Sequence, residues 1–204
     1  MHHKRSFRRK LQTFFLSLLL VLLTVAGVPS AAYTAEAASA DTTMAVHFLD
    51  VGQGLSILVQ SQGQNLLYDG GDRGHSSFVV SYLQKQNISI IDYMISSHYD
   101  EDHVAGLVGC LDSFSVKNVI GADYVQDTKI YQSFENSVAA QGLTVQHPKP
   151  GTDFAFGGGK FTVLSPQSIS SNDNDNSVAI RLENGNNHFR FYRGCRICRG
   201  GSDL

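Results

Sequence analysis

Four side chains of the kinds that bind divalent metals, His98, Asp100, Asp102 and His103, stand within the stretch Ser96-Ser97-His98-Tyr99-Asp100-Glu101-Asp102-His103. A mostly apolar run over 90–95 precedes them, and Val104-Ala105-Gly106-Leu107-Val108 follows at helical spacing. The pattern predicts a buried strand that turns into a helix, with a polar cluster at the junction. Residues two apart in an extended chain point the same way, so His98 and Asp100 can reach one ion. Asp102 and His103 are adjacent and are expected to diverge, which suits a second ion or a bridged pair. Imidazole and carboxylate ligands fit Zn²⁺ or Mn²⁺, and two such ions can activate water and stabilise a leaving oxygen. One His and one Asp would mean only a solvated loop capping a helix. Four ligand types directly after a buried strand favour a metal site.

The remainder of the chain places this cluster in an exported domain. Lys4, Arg5, Arg8, Arg9 and Lys10 precede a nearly unbroken apolar run over 11–28, and Ala-x-Ala sites follow at Ala35-Glu36-Ala37 and Ala38-Ser39-Ala40. That order describes a secretory signal peptide over 1–40, with an uncleaved membrane anchor as the alternative. The mature chain is expected to start near Asp41, outside the cytoplasm, with no membrane span left after cleavage. Residues 41–189 hold seven Lys/Arg against sixteen Asp/Glu, a net charge of −9. An acidic domain without a basic groove is a poor general binder of nucleic acid, where Lys and Arg supply most of the affinity. Three cysteines are too few for the disulfide framework of a secreted protein. Cys110, inside an apolar helical pattern, reads as a buried free thiol.

Along the mature chain, short strands at 44–50, 55–60 and 65–68 are joined by Gly-containing turns, which predicts an antiparallel meander. Helices are expected over 76–86, after His103, and over 128–141. Strands are expected at 90–96, 116–120, 143–146, 153–156, 160–164 and 177–183, with a hairpin turn at Asn184-Gly185-Asn186-Asn187 and a returning strand from His188. Strands first, then helices interleaved with strands, give a layered α/β arrangement. His47 and His147 read as structural, and His75 could approach the cluster from the neighbouring loop.

His98-x-Asp100-x-Asp102-His103 resembles the signature of the metallo-β-lactamase superfamily. Val46-His47-Phe48-Leu49-Asp50-Val51-Gly52-Gln53-Gly54, Leu67-Tyr68-Asp69-Gly70-Gly71 and Asn176-Ser177-Val178-Ala179-Ile180-Arg181-Leu182 narrow the likeness. Together they are similar to the extracellular metallo-β-lactamase-like domain of the competence DNA-uptake channel ComEC and its secreted relatives. The resemblance implies an αββα sandwich over 41–190 and two divalent ions, zinc with manganese as the alternative. It assigns His98 and Asp100 to one ion and Asp102 and His103 to the other. Asp102 also orients the attacking water as the catalytic residue, and Asp69 supports the ligand loop. Leu55 departs from the pattern, which usually has an acidic residue there.

The implied activity is hydrolysis of a phosphodiester, with DNA as the indicated substrate and phosphocholine esters of cell-wall polymers as the second class. β-Lactam hydrolysis is disfavoured because Asp100 stands where those enzymes carry a second His. The family pattern continues into Thr-Gly-Asp-Ala-Glu, whereas residues 191–204 turn rich in Arg and include Cys195 and Cys198. Permitted codons from Tyr192 onward, read one base later, encode Thr-Gly-Asp-Ala-Glu. A frameshifted and truncated tail is therefore expected, with the fold's C-terminal part incomplete. Cys195-x-x-Cys198 is then an accident, and an inactive remnant with a partial metal site is the competing expectation.

Overall fold

Strands buried on both faces read as continuous apolar runs, and the two sheets are built around them. The structure is a computed structural model that describes residues 43–192. The leader at 1–40 and most of the tail, with Cys195 and Cys198, lie outside the described residues. The first sheet contains β1 (Met44–Phe48), β2 (Ile57–Ser61), β3 (Gln64–Tyr68), β5 (Tyr93–Ile95), β7 (Val119–Ile120) and β8 (Val145–Gln146), side by side in that order. The first three pair antiparallel, the meander expected from their Gly-containing turns. From β3 onward the pairing is parallel, which requires crossovers too long for a hairpin. Three helices supply them: α1 (Ser76–Lys85), α2 (Glu101–Ser113) and α3 (Lys129–Ala140).

Side chains along the central strands alternate between two cores. Leu58, Leu67, Met94 and Val119 face the helices, where they meet Val79 and Leu83 of α1, Leu107 and Leu111 of α2, and Phe134 and Val138 of α3. Ile57, Val59, Leu66, Tyr68, Ile95 and Ile120 face the second sheet. That sheet is antiparallel in the order β12 (Asn187–Phe191), β11 (Ala179–Asn184), β10 (Gly159–Ser165), β9 (Asp153–Phe156). It contributes Phe156, Phe161, Val163, Ile180, Leu182 and Phe191 to the shared interior. Full burial of each such side chain is worth about 1.5–3 kcal/mol relative to exposure, so the inter-sheet core is a principal stabiliser. The described residues thus supply three layers of the sandwich, α, β and β.

Several expected elements differ in detail. The run over 90–96 is not one strand, because the buried Asp92 interrupts it. Its carboxylate accepts from the Asn65 N–H at 2.8 Å and from Lys117 Nζ at 2.7 Å. The preceding β4 (Ile90–Ile91) therefore leaves the sheet and pairs with β6 (Ser115–Val116). The predicted strand over 116–120 divides for the same reason, between β6 and β7. Phe48 is largely exposed at the sheet edge. α2 starts at Glu101, so Asp102 and His103 lie in its first turn.

Candidate metal centre

Asp69 follows β3, and its carboxylate lies at the centre of a buried hydrogen-bond network. Its Oδ1 accepts from the Ser97 N–H at 2.7 Å. Its Oδ2 accepts from the Ser97 hydroxyl at 2.7 Å and from His103 Nδ1 at 2.7 Å. Ser97 Oγ is also 2.9 Å from His98 Nδ1. Because the hydroxyl donates to Asp69, the proton on that second contact belongs to the imidazole. Asp69 therefore anchors His103 directly and His98 through Ser97. Both rings are fully buried with their centroids 4.1 Å apart. With Nδ1 protonated on each, the metal-binding atom left is Nε2.

Both Nε2 atoms face carboxylates. His98 Nε2 is 3.2 Å from Asp100 Oδ2, and His103 Nε2 is 3.6 Å from Asp102 Oδ2. Ligand-capable atoms of His98, Asp102 and His103 all lie within 4.8 Å of one another. A neutral imidazole in this tautomer presents a lone pair to an anionic oxygen, a repulsive arrangement that a divalent cation between them relieves. The residues present therefore fit a metal ion. Gln126 Nε2 donates to Asp100 Oδ1 at 3.3 Å and steadies the most exposed member of the set.

Local backbone packing explains the surrounding motifs. Gly70 N–H donates to His103 O at 2.8 Å, and Gly106 N–H to Gly71 O at 3.0 Å, so the loop after β3 is bonded to the first turns of α2. A Cβ on Gly106 would lie 1.8 Å from Gly70 O, and one on Gly54 would lie 2.0 Å from Asp102 O. Only glycine permits these approaches. Leu55 accepts from the Gly71 N–H through its carbonyl at 2.9 Å, a backbone bond that does not require the acidic side chain of the family pattern. From the second sheet, Val178 N–H donates to Ser97 O at 2.7 Å and Tyr68 OH to Val178 O at 2.6 Å. Asn176 exchanges two bonds with the Ser170 backbone, so the Asn-Ser-Val stretch closes loops.

Of the four candidate ligands the structure groups His98, Asp102 and His103, with Asp100 beside His98 alone, and one expected geometry differs. Asp102 and His103 do not diverge, because neighbours on a helical turn are separated by about 100° rather than the 180° of extended chain. Ser97 was missed as a participant: a serine at a strand end carries no sequence signal until its contact with Asp69 is known. Tyr99, inside the cluster, points away. Its OH donates to Ala122 O at 2.7 Å and its ring packs against Tyr124, Tyr131 and Phe134, so burial pushes its pKa up. His75 is held by Asp72 at 2.7 Å, and that bond keeps the Asp72 carboxyl below its usual range. A groove of about 340 Å³ lies here, lined by Gln53, Asp72, Arg73, Gly74, Glu101 and Asp102. It gives the Asp102 side of the cluster an opening to solvent. His47 bonds Tyr82 OH at 2.9 Å and takes no part.

The family model described as the metallo-β-lactamase superfamily matches residues 49–165. Recombination protein 2 of Haemophilus influenzae is 30% identical over 151 residues, which are 71% of this chain and 17% of that protein. ComE operon protein 3 of Bacillus subtilis is 25% identical over 160 residues, 69% of this chain and 20% of that protein. The chain therefore spans about a fifth of the length of these relatives. Among solved structures, a Cronobacter sakazakii metallo-β-lactamase with a HARLDQ motif superposes with a TM-score of 0.53. It shares 13% identity and covers 74% of this chain and 56% of its own. That likeness concerns the fold alone.

Proposed function

This chain belongs to the metallo-β-lactamase superfamily, and on that premise we propose that it is a metal-dependent hydrolase of phosphodiester bonds. The observation that carries the proposal is the Asp69–Ser97–His98 and Asp69–His103 network, which leaves two buried Nε2 atoms facing carboxylates. His98 and Asp100 would hold one divalent ion and Asp102 and His103 a second, zinc or alternatively manganese. Such ions supply Lewis acidity to a phosphoryl oxygen and acidify an attacking water. Asp102, at the groove, would orient the attacking water and accept its proton. Asp69 fixes the tautomer and direction of both imidazoles. The name of one relative, a recombination protein, favours a nucleic-acid substrate. We also place the chain outside the cytoplasm, which an N-terminus near Asp41 on the protein recovered from culture medium would test. Among the described residues no helix is long and apolar enough to cross a membrane.

The test is hydrolysis of bis-p-nitrophenyl phosphate by the full chain, stripped of metal and then titrated with Zn²⁺ or Mn²⁺. Turnover should appear with metal and be lost in His98→Ala and His103→Ala. Asp102→Asn should lower kcat by about 10²-fold or more. Metal binding without turnover would support the remnant alternative, and absence of metal binding would overturn both.

A further inference from the structure

A second cavity, of about 410 Å³, lies against the same loop from the other side. It is formed by segments 121–123, 147–150 and 166–169, which follow β7, β8 and β10, together with Val178. Two of its walls are bonded to the residues on either side of His98: Ala122 O accepts from Tyr99 OH, and Val178 N–H donates to Ser97 O, both at 2.7 Å. The cavity walls are therefore bonded to the loop that carries His98.

Lys149 is exposed in the lining and, like Lys85, Lys129 and Arg190, has no ion-pair partner among the described residues, whereas Arg73, Lys117, Lys160 and Arg181 each pair with a carboxylate. Asp123, also in the lining, forms no ion pair with it. His147 stands two residues before Lys149, its ring anchored by an Nδ1–H bond to Gly121 O at 3.0 Å. Pro148, Pro150 and Pro166 restrict the backbone of the walls. An unpaired ammonium in a rigid cleft, within an otherwise acidic domain, is suited to an anionic group brought by a ligand.

We propose that this cleft is an anion subsite that receives a second phosphate of the substrate, with Lys149 supplying the charge and His147 a hydrogen-bonding wall. The proposal rests on the phosphodiester reading of the adjacent centre and narrows it. A polynucleotide carries a neighbouring phosphate that can enter the cleft. A phosphocholine ester brings a quaternary ammonium, which is recognised by aromatic faces. The lining contains no Phe, Tyr or Trp and does contain Lys149. The second substrate class is therefore disfavoured.

Calorimetric titration of the full chain with thymidine 3′,5′-bisphosphate, without added metal, tests the subsite apart from catalysis. Lys149→Ala should weaken binding by about 10-fold, as expected for loss of one charge-assisted contact. Lys149→Arg should restore most of it, and choline, which brings the quaternary ammonium alone, should not compete. In turnover, Lys149→Ala should raise KM for a 5′-phosphorylated thymidine dinucleotide and leave bis-p-nitrophenyl phosphate hydrolysis unchanged. Equal affinity of wild type and Lys149→Ala, or displacement of the bisphosphate by choline, would overturn the subsite. Lys149-dependent binding without any hydrolysis of bis-p-nitrophenyl phosphate would instead retain the subsite and refute the hydrolase reading.

Discussion

Asp69 sits fully buried at a φ of 58°, a conformation that costs a non-glycine residue about 1–3 kcal/mol. Its N–H donates to Ile95 O at 2.9 Å, and its carboxylate accepts from Ser97 and His103. Those bonds offset the strain and aim both imidazoles. Asp69→Asn preserves the shape but removes the charge and one of the two acceptor oxygens. We expect metal affinity to fall by about 10–100-fold in competition with a chromophoric chelator, and a change under twofold would contradict the assigned role. Asp69→Ala should destabilise the fold by about 3–5 kcal/mol in urea unfolding, because it leaves buried donors unpaired. Cys110 gives a pH prediction. Burial pushes its thiol up to about 12 from the ordinary 9.0. Its contribution to stability is complete below the unfolded pKa and is lost as pH rises from about 9 towards 12. Native protein at pH 8 should resist iodoacetamide and become alkylated only on unfolding; rapid native labelling would contradict the burial.

At the scale of elements, the first turns of α2 are held against the loop 69–71 at a distance that excludes a side chain. Gly106→Ala would place its Cβ 1.8 Å from Gly70 O. Overpacking of this kind costs about 1–3 kcal/mol. Since the same helix carries Asp102 and His103, metal affinity should fall together with Tm. A variant that lost stability while keeping wild-type metal affinity would show that loop and helix are not coupled. The existence of these elements was legible in the sequence, since each helix shows its apolar spacing and each Gly turn its φ requirement. The break at Asp92 was not. It depends on Asn65 and Lys117, both 25 or more residues away, and no local pattern encodes that. The network through Ser97 was hidden for the same reason: it joins the end of β3 to the end of β5, which become neighbours only after parallel pairing. The candidate cluster from His98 to His103 was legible because its residues are local in sequence.

At the scale of the whole molecule, two apolar cores share one sheet, and the candidate centre lies where the ends of β3 and β5 meet the start of β11. The layered architecture was legible from the succession of strands and helices. The division of central strands between two cores was not, because an apolar run does not reveal which residue faces which layer. β12 shows how far this packing extends: Phe191 is buried against Tyr68 at a centroid distance of 5.7 Å and pairs with Ile180. Phe191→Ala should cost about 3–5 kcal/mol in urea unfolding, while Tyr192→Ala, at an exposed position, should cost little; equal small effects would mean that β12 is not integral to the sandwich. The central claim is that the loop from His98 to His103 is a catalytic metal site. Its most direct test is the rate of bis-p-nitrophenyl phosphate hydrolysis by metal-stripped protein as Zn²⁺ or Mn²⁺ is added. The rate should rise and saturate with metal and vanish in the His98→Ala, His103→Ala double variant. A rate no greater than that of the metal in buffer, or one unchanged in the double variant, would contradict the account.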